Sequence, residues 1–210
     1  MTQAKQKFDK TINRCDEMVT LYNRLKENEE NDGSVSQDTL RGAIVFAVAA
    51  FDAYATDCFS ENFVSYIKKY GIDDSLEELL KQAGFTVKFA LELIHSDRPY
   101  RKIRTLIDHF YYKYTTQRLN VIDDLFKQYH IQGLTKNAAK RSGRNSETLL
   151  NSVNKIIERR HSIVHDGDYN DHNHIRNVTK TDVKRIKDLK LLVDNMDYII
   201  ENRMNPPKVH

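Results

Sequence analysis

The sequence predicts an all-α fold. Only seven glycines and three prolines interrupt 210 residues, and so few breakers leave long uninterrupted elements. Apolar residues recur three and four apart, the period of a helix that buries one stripe. No segment keeps the strict alternation of a half-buried strand.

Taken in order, residues 2–26 carry Phe8, Ile12, Cys15, Val19, Tyr22 and Leu25 at helical spacing, a narrow stripe for one neighbour. Residues 27–34 are polar and read as a loop. A second helix is expected from Ser36 or Asp38, both good N-caps, to Tyr70, with Gly71 as its C-cap. From Ala43 to Phe51 it is apolar all round, so it belongs in the middle of a bundle. Its small residues, Gly42, Ala43, Ala47, Ala49, Ala50 and Ala53, allow close helix approach. Two shorter helices follow over 74–84 and 86–95. Residues 99–114 form a helix rich in bases and aromatics, and such interleaving can cradle single-stranded nucleic acid as well as pack a core. Another helix covers 121–131, and 136–145 reads as a basic loop. Helix 146–165, capped by Asn145, precedes a polar turn-rich segment. Thr179 and Asp182 then resemble a capping box for a last helix to about residue 202, ended by Asn205-Pro206-Pro207.

With 40% hydrophobic and 30% charged residues, the composition is that of an ordinary globular protein, expected as a single domain over 1–210. The polar first ten residues predict no secretory leader. The run Ala43–Phe51 is shorter than the roughly 20 residues that span a bilayer, so no membrane partner is expected. Cys15 and Cys58 fall in helical patterns and read as small core residues, consistent with a cytoplasmic location. A net charge of +3 argues for no partner by itself. Its distribution says more. Residues 134–160 hold seven bases against two acids, and 97–104 hold four against one. Such clusters raise anion affinity, although they also occur as solvated helix faces. Lys136, Lys140, Arg141 and Arg144 are the candidate RNA contacts.

The densest chemistry is in Glu158-Arg159-Arg160-His161-Ser162-Ile163-Val164-His165-Asp166-Gly167-Asp168-Tyr169. On a helical wheel of about 100° per residue, Leu149, Val153, Ile156, Ile157, Ile163 and Val164 lie within roughly 60° of Arg160. Arg160 therefore falls inside the apolar stripe, where an arginine needs an anionic partner. His161 and His165 lie about 100° and 140° round, flanking the stripe on one side. Glu158 and Arg159 read as exposed, and Tyr169 as a loop residue. Histidine exchanges protons near neutral pH, and arginine holds phosphate oxygens bidentately. These groups suit RNA cleavage by its own 2′-hydroxyl without a metal or other cofactor.

The pattern Arg160-His161-x-x-x-His165, at the end of a late helix and before one final helix, resembles the signature of HEPN-domain ribonucleases. Ala49-Ala50-Phe51-Asp52-Ala53-Tyr54 resembles the acid-bearing apolar helix of that family. The likeness is sharpest over residues 146–202 and closest to the RiboL-PSP-type branch. It implies a helical bundle that dimerises around a composite cleft and leaves cyclic phosphate and 5′-hydroxyl ends, commonly in toxin–antitoxin or antiphage roles with a protein partner. By position, it implies that Arg160 holds the phosphate, His165 is the acid/base, and His161 and Asp52 support them. Gly167 stands where nucleotidylated HEPN toxins carry tyrosine, so control by that modification is not implied. Three other readings remain. Arg160 could pair with an internal acid such as Asp52. His161, His165, Asp171, His172 and His174 could bind a metal, although the HExxH form is absent. The domain could also bind RNA, nucleotide or a protein without cutting.

Overall fold

The computed structural model describes residues 1–27, 33–112, 116 and 118–204. Nine helices and no named strand are found among them: α1 Gln3–Glu27, α2 Gly33–Tyr70, α3 Asp74–Gln82, α4 Val87–Ile94, α5 Pro99–Tyr111, α6 Leu119–Lys127, α7 Leu134–Arg141, α8 Ser146–His165 and α9 Lys180–Met204.

The apolar pattern of α2 makes it the axis of the bundle. It packs against α1, α5, α8 and α9, and Ala43, Ile44, Ala47, Val48, Phe51, Ala55, Cys58, Phe59 and Phe63 are fully buried. Burying such side chains stabilises by roughly 1.5–3 kcal/mol each for the larger ones. Close approach to α1 is visible at Gly42, where a Cβ would lie 2.6 Å from the Met18 methyl carbon. The expectation that Ala43–Phe51 is covered on every side is not met. Phe46 is 42% exposed, with the Arg14 guanidinium 5.4 Å from its ring centre. By length and composition the stretch 34–70 could cross a membrane; in the bundle, 56% of its apolar window is buried.

Local signals place most boundaries. Asp73 and Thr86 accept hydrogen bonds from the Leu76 and Phe89 amides and start α3 and α4. Pro99 occupies the first turn of α5. Asn145 accepts from the Thr148 amide at 2.9 Å. Asp182 accepts from the amide and hydroxyl of Thr179, both at 2.9 Å, closing the expected box at α9. Three expectations fail. Helix α2 begins at Gly33, and Asp38 lies within it, its carboxylate 2.8 Å from Arg41 rather than on an amide. Helix α6 stops at Lys127 because His130 takes a left-handed φ of 54°. Residues 134–141 form a helix, not a loop: Leu134, Ala138 and Ala139 bury a small apolar face against α9, and Asp123 accepts from the Thr135 amide and hydroxyl. The expected loop at 28–32, the Tyr114 position and Asn205-Pro206-Pro207 lie outside the described residues.

The far end of α2 is held by aromatic packing. The Tyr129 ring stacks on Phe59 at 4.4 Å and Tyr66 at 4.6 Å, while its hydroxyl donates to the Phe59 carbonyl at 2.6 Å. Cys15 and Cys58 are both fully buried free thiols. Burial pushes the Cys15 thiol up to about 11 and the Cys58 thiol well above its ordinary value. Both effects leave little thiolate to react. Native protein at pH 8 is therefore expected to resist iodoacetamide, with both thiols labelling once denatured. Rapid labelling of either thiol in the native state would contradict this packing.

Candidate active site

The site is built on the last turns of α8. Leu149, Val153 and Ile156 bury the helix's apolar line, and Arg160 continues that line beyond the core. The helix ends where the chain turns left-handed at Gly167, φ 63°, and Asp168, φ 63°. A side chain at Gly167 would need that unfavourable φ and would also place its Cβ 3.2 Å from the Tyr169 ring. Asp168 then folds back, its amide donating to the Ser162 carbonyl at 3.0 Å.

Asp168 is completely buried and meets three arginines. Arg159 binds both its oxygens, with Nη2 2.9 Å from Oδ2. Arg41 of α2 donates from Nε at 2.8 Å, and Arg176 Nε lies 3.5 Å away. Arg41 and Arg159 also donate to the Arg176 carbonyl, at 2.7 and 3.1 Å. The same residues thus neutralise the carboxylate and satisfy the loop backbone. The helical wheel puts Arg159 on an exposed face; its side chain is instead 10% exposed. Burial lowers its pKa, opposed by Asp168. The loop beyond is also more ordered than its polarity implies. The Asn170 side chain accepts from the His172 and His174 amides, and Tyr169 bridges to Ile175.

Arg160 points the other way. With His161, His165, Ser162, Glu158, Ile157, Asp52, Arg118 and Val121 it lines a cleft of about 980 Å³. The two imidazole rings are 4.5 Å apart between centroids. Arg160 makes no ion pair or hydrogen bond among the described residues, and its Nε is sealed from solvent without an acceptor. Asp52 stands in the same cleft and accepts from the Thr116 amide and hydroxyl, both at 2.6 Å. It thereby fastens the α5–α6 connection to the cleft wall.

Four expected site residues, Arg160, His165, His161 and Asp52, are thus together. Lys136, Lys140, Arg141 and Arg144 lie on or just after α7 and do not line this cleft. Lys136 and Lys140 are exposed; Arg141 lies 3.4 Å over the Tyr198 ring, and Arg144 pairs with buried Asp188. Arg118, at the start of α6, lines the cleft without any local sequence signal. Among the described residues no group of three or more His, Cys, Asp or Glu is placed to hold a metal ion.

An all-α bundle with an arginine and two histidines at the end of its penultimate helix has the architecture of a HEPN domain. The RiboL-PSP-HEPN family profile matches residues 9–202, and the chain belongs to that family. No curated protein and no solved structure matches it. HEPN domains are commonly ribonucleases, and membership assigns an RNase-type or nucleotide-related function.

Asp168 and Arg160 should respond oppositely to substitution. Asp168→Asn keeps a residue that tolerates left-handed φ but leaves buried guanidiniums uncompensated, so a loss of about 3–5 kcal/mol is expected. Arg160→Ala removes no intrachain partner and should leave stability unchanged or slightly raised. Thermal denaturation decides; equal losses for both would refute the division of roles.

Proposed function

We propose that this chain is a metal-independent endoribonuclease acting in the cytoplasm. The observation that carries the reading is Arg160, a guanidinium partly sealed from water, without an acceptor among the described residues, and facing a cleft with two imidazoles. A buried arginine without an anion is costly. A phosphodiester entering the cleft supplies the anion, in the bidentate geometry that guanidinium favours.

The chemistry follows from the same groups. An imidazole takes the proton from a ribose 2′-hydroxyl, and the oxygen attacks the adjacent phosphorus. The bond from phosphorus to the 5′-oxygen breaks, and that oxygen receives a proton from an imidazolium. The products are a 2′,3′-cyclic phosphate and a 5′-hydroxyl. Arg160, with Arg118 near it, stabilises charge on the non-bridging oxygens. His165 is the acid/base, His161 orients it, and Asp52 positions the wall through Thr116. A second copy completing the cleft is part of this proposal. Exposed Val164, Tyr169 and Ile175 at this end of the fold support it. The role as a toxin or antiphage effector with an antitoxin or defence partner rests on the family alone.

The test is cleavage of single-stranded RNA by purified protein in chelator, with end-group analysis. His165→Ala should slow it by about 10²–10⁴-fold and Arg160→Ala by about 10²–10³-fold. Sedimentation should show a dimer at micromolar concentration. RNA that is bound but never shortened, by wild type and variants alike, would instead establish a non-catalytic binding module.

A further inference from the structure

Among the described residues the proposed catalytic cleft is balanced in charge: Arg118 and Arg160 face Asp52 and Glu158. Attraction for a polyanion must be supplied elsewhere, since phosphate neutralisation dominates nucleic-acid affinity. The α4–α5 surface has the required features. A separate cleft of about 450 Å³ there is lined by Arg98, Arg101, Lys102 and His109, with Phe89 and Leu106 among its apolar residues. No acid lines it. Arg98, Arg101 and Lys102 are exposed and make no ion pair among the described residues; the nearby Asp108 lies 3.8 Å from Arg104 instead. Arg98, the N-cap of α5, lies three residues before Arg101 and four before Lys102; Thr105 and His109 follow at three- or four-residue steps, so the group borders one side of the helix.

The aromatic partner comes from α4. Phe89 is half-buried, and an edge-on contact with Phe85 at 5.3 Å between centroids holds its ring. The aromatics of α5 itself are otherwise engaged, Tyr111 lying edge-on to Phe59 at 5.2 Å and Phe110 edge-on to Tyr111. Bases alone make a solvated face; unpaired bases around an accessible ring make a place for phosphate with an unpaired nucleobase. The C-terminal end of α5 also packs on the helix that carries Asp52. Tyr111 ends α5 against Phe59, about 10 Å along α2 from Asp52, and Thr116, five residues on, is bonded to Asp52.

We propose that the α4–α5 cleft is a second binding site for single-stranded RNA, holding a segment that flanks the scissile phosphate. Phosphates lie along Arg98, Arg101 and Lys102, and one base stacks on Phe89. The proposal rests on RNA being the substrate of the Arg160 cleft, but its test does not require cleavage. Fluorescence anisotropy would follow a labelled oligouridylate of about twelve nucleotides on the full chain carrying His165→Ala. Adding Arg101→Ala and Lys102→Ala should weaken binding by about tenfold and lower the salt slope by about 1.4, or about 0.7 for each phosphate that is no longer neutralised. Phe89→Leu, which keeps the packing on Phe85, should weaken it about fivefold or more. In the catalytic background the paired substitutions should raise KM for a long RNA and leave kcat unchanged. Circular dichroism checks folding, and the exposed Arg101 and Lys102 decide the matter should Phe89→Leu unfold. Unchanged affinity and salt slope overturn the proposal, as does displacement of the oligonucleotide by equimolar AMP, which would mark a mononucleotide site. The expected weakening of binding without any cleavage by wild type would sink the ribonuclease reading and leave the α4–α5 cleft as an RNA-binding site with no scissile phosphate to flank.

Discussion

The arrangement at the end of α8 depends on one buried carboxylate. Asp168 gathers Arg41 from α2, Arg159 from α8 and Arg176 from the following loop. A fully buried anion is tolerable only when it is paired and hydrogen-bonded, and here the pairing residues come from separate parts of the chain. The ion cluster therefore works as a geometric lock. It fixes where α8 stops, returns the loop along α2, and holds the final helical turn that bears His165. The left-handed backbone at Asp168 belongs to the same device, since a strained conformation persists where surrounding contacts over-determine it.

Consecutive residues then do opposite jobs. Arg159 and Arg160 differ by about 100° around the helix, so one faces the lock and the other the cleft. Arg159 has a carboxylate and two carbonyls as acceptors; Arg160 has an Nε with none among the described residues. A fold selected for stability alone would give Arg160 an acceptor or replace it by an aliphatic residue continuing Leu149, Val153 and Ile156. Local disagreement with packing rules is expected at functional sites.

Much of this was legible where the signal is local. The α8 stripe, the Asn145 cap, the Thr179–Asp182 box and the central place of α2 follow from spacing and side-chain type. The same wheel places Arg160 in the apolar line and both histidines beside it. Long-range pairing was not legible. Arg159 has no apolar-stripe signature, and its partner lies nine residues away across a turn, shared with Arg41 from 127 residues away. Arg118 is brought to the cleft by the α5–α6 connection, which no period encodes. Helix α7 was obscured because four bases in and just after it dominate its composition, while its buried face comprises small side chains.

Charge placement gives the cleft a further property. Among the described residues two guanidiniums and two carboxylates line it, so its fixed charges cancel. On the proposed ribonuclease reading, a strongly basic cleft would hold product as firmly as substrate, since cleavage leaves a phosphate on one fragment. In the proposed binding mode, permanent charge on α5, outside the reacting centre, sets affinity for the strand without changing the electrostatics at the scissile bond. Binding energy that is equal in ground and transition states belongs at such a remote surface, while the proposed mechanism leaves Arg160, without an acceptor among the described residues, for charge that develops as the bond breaks.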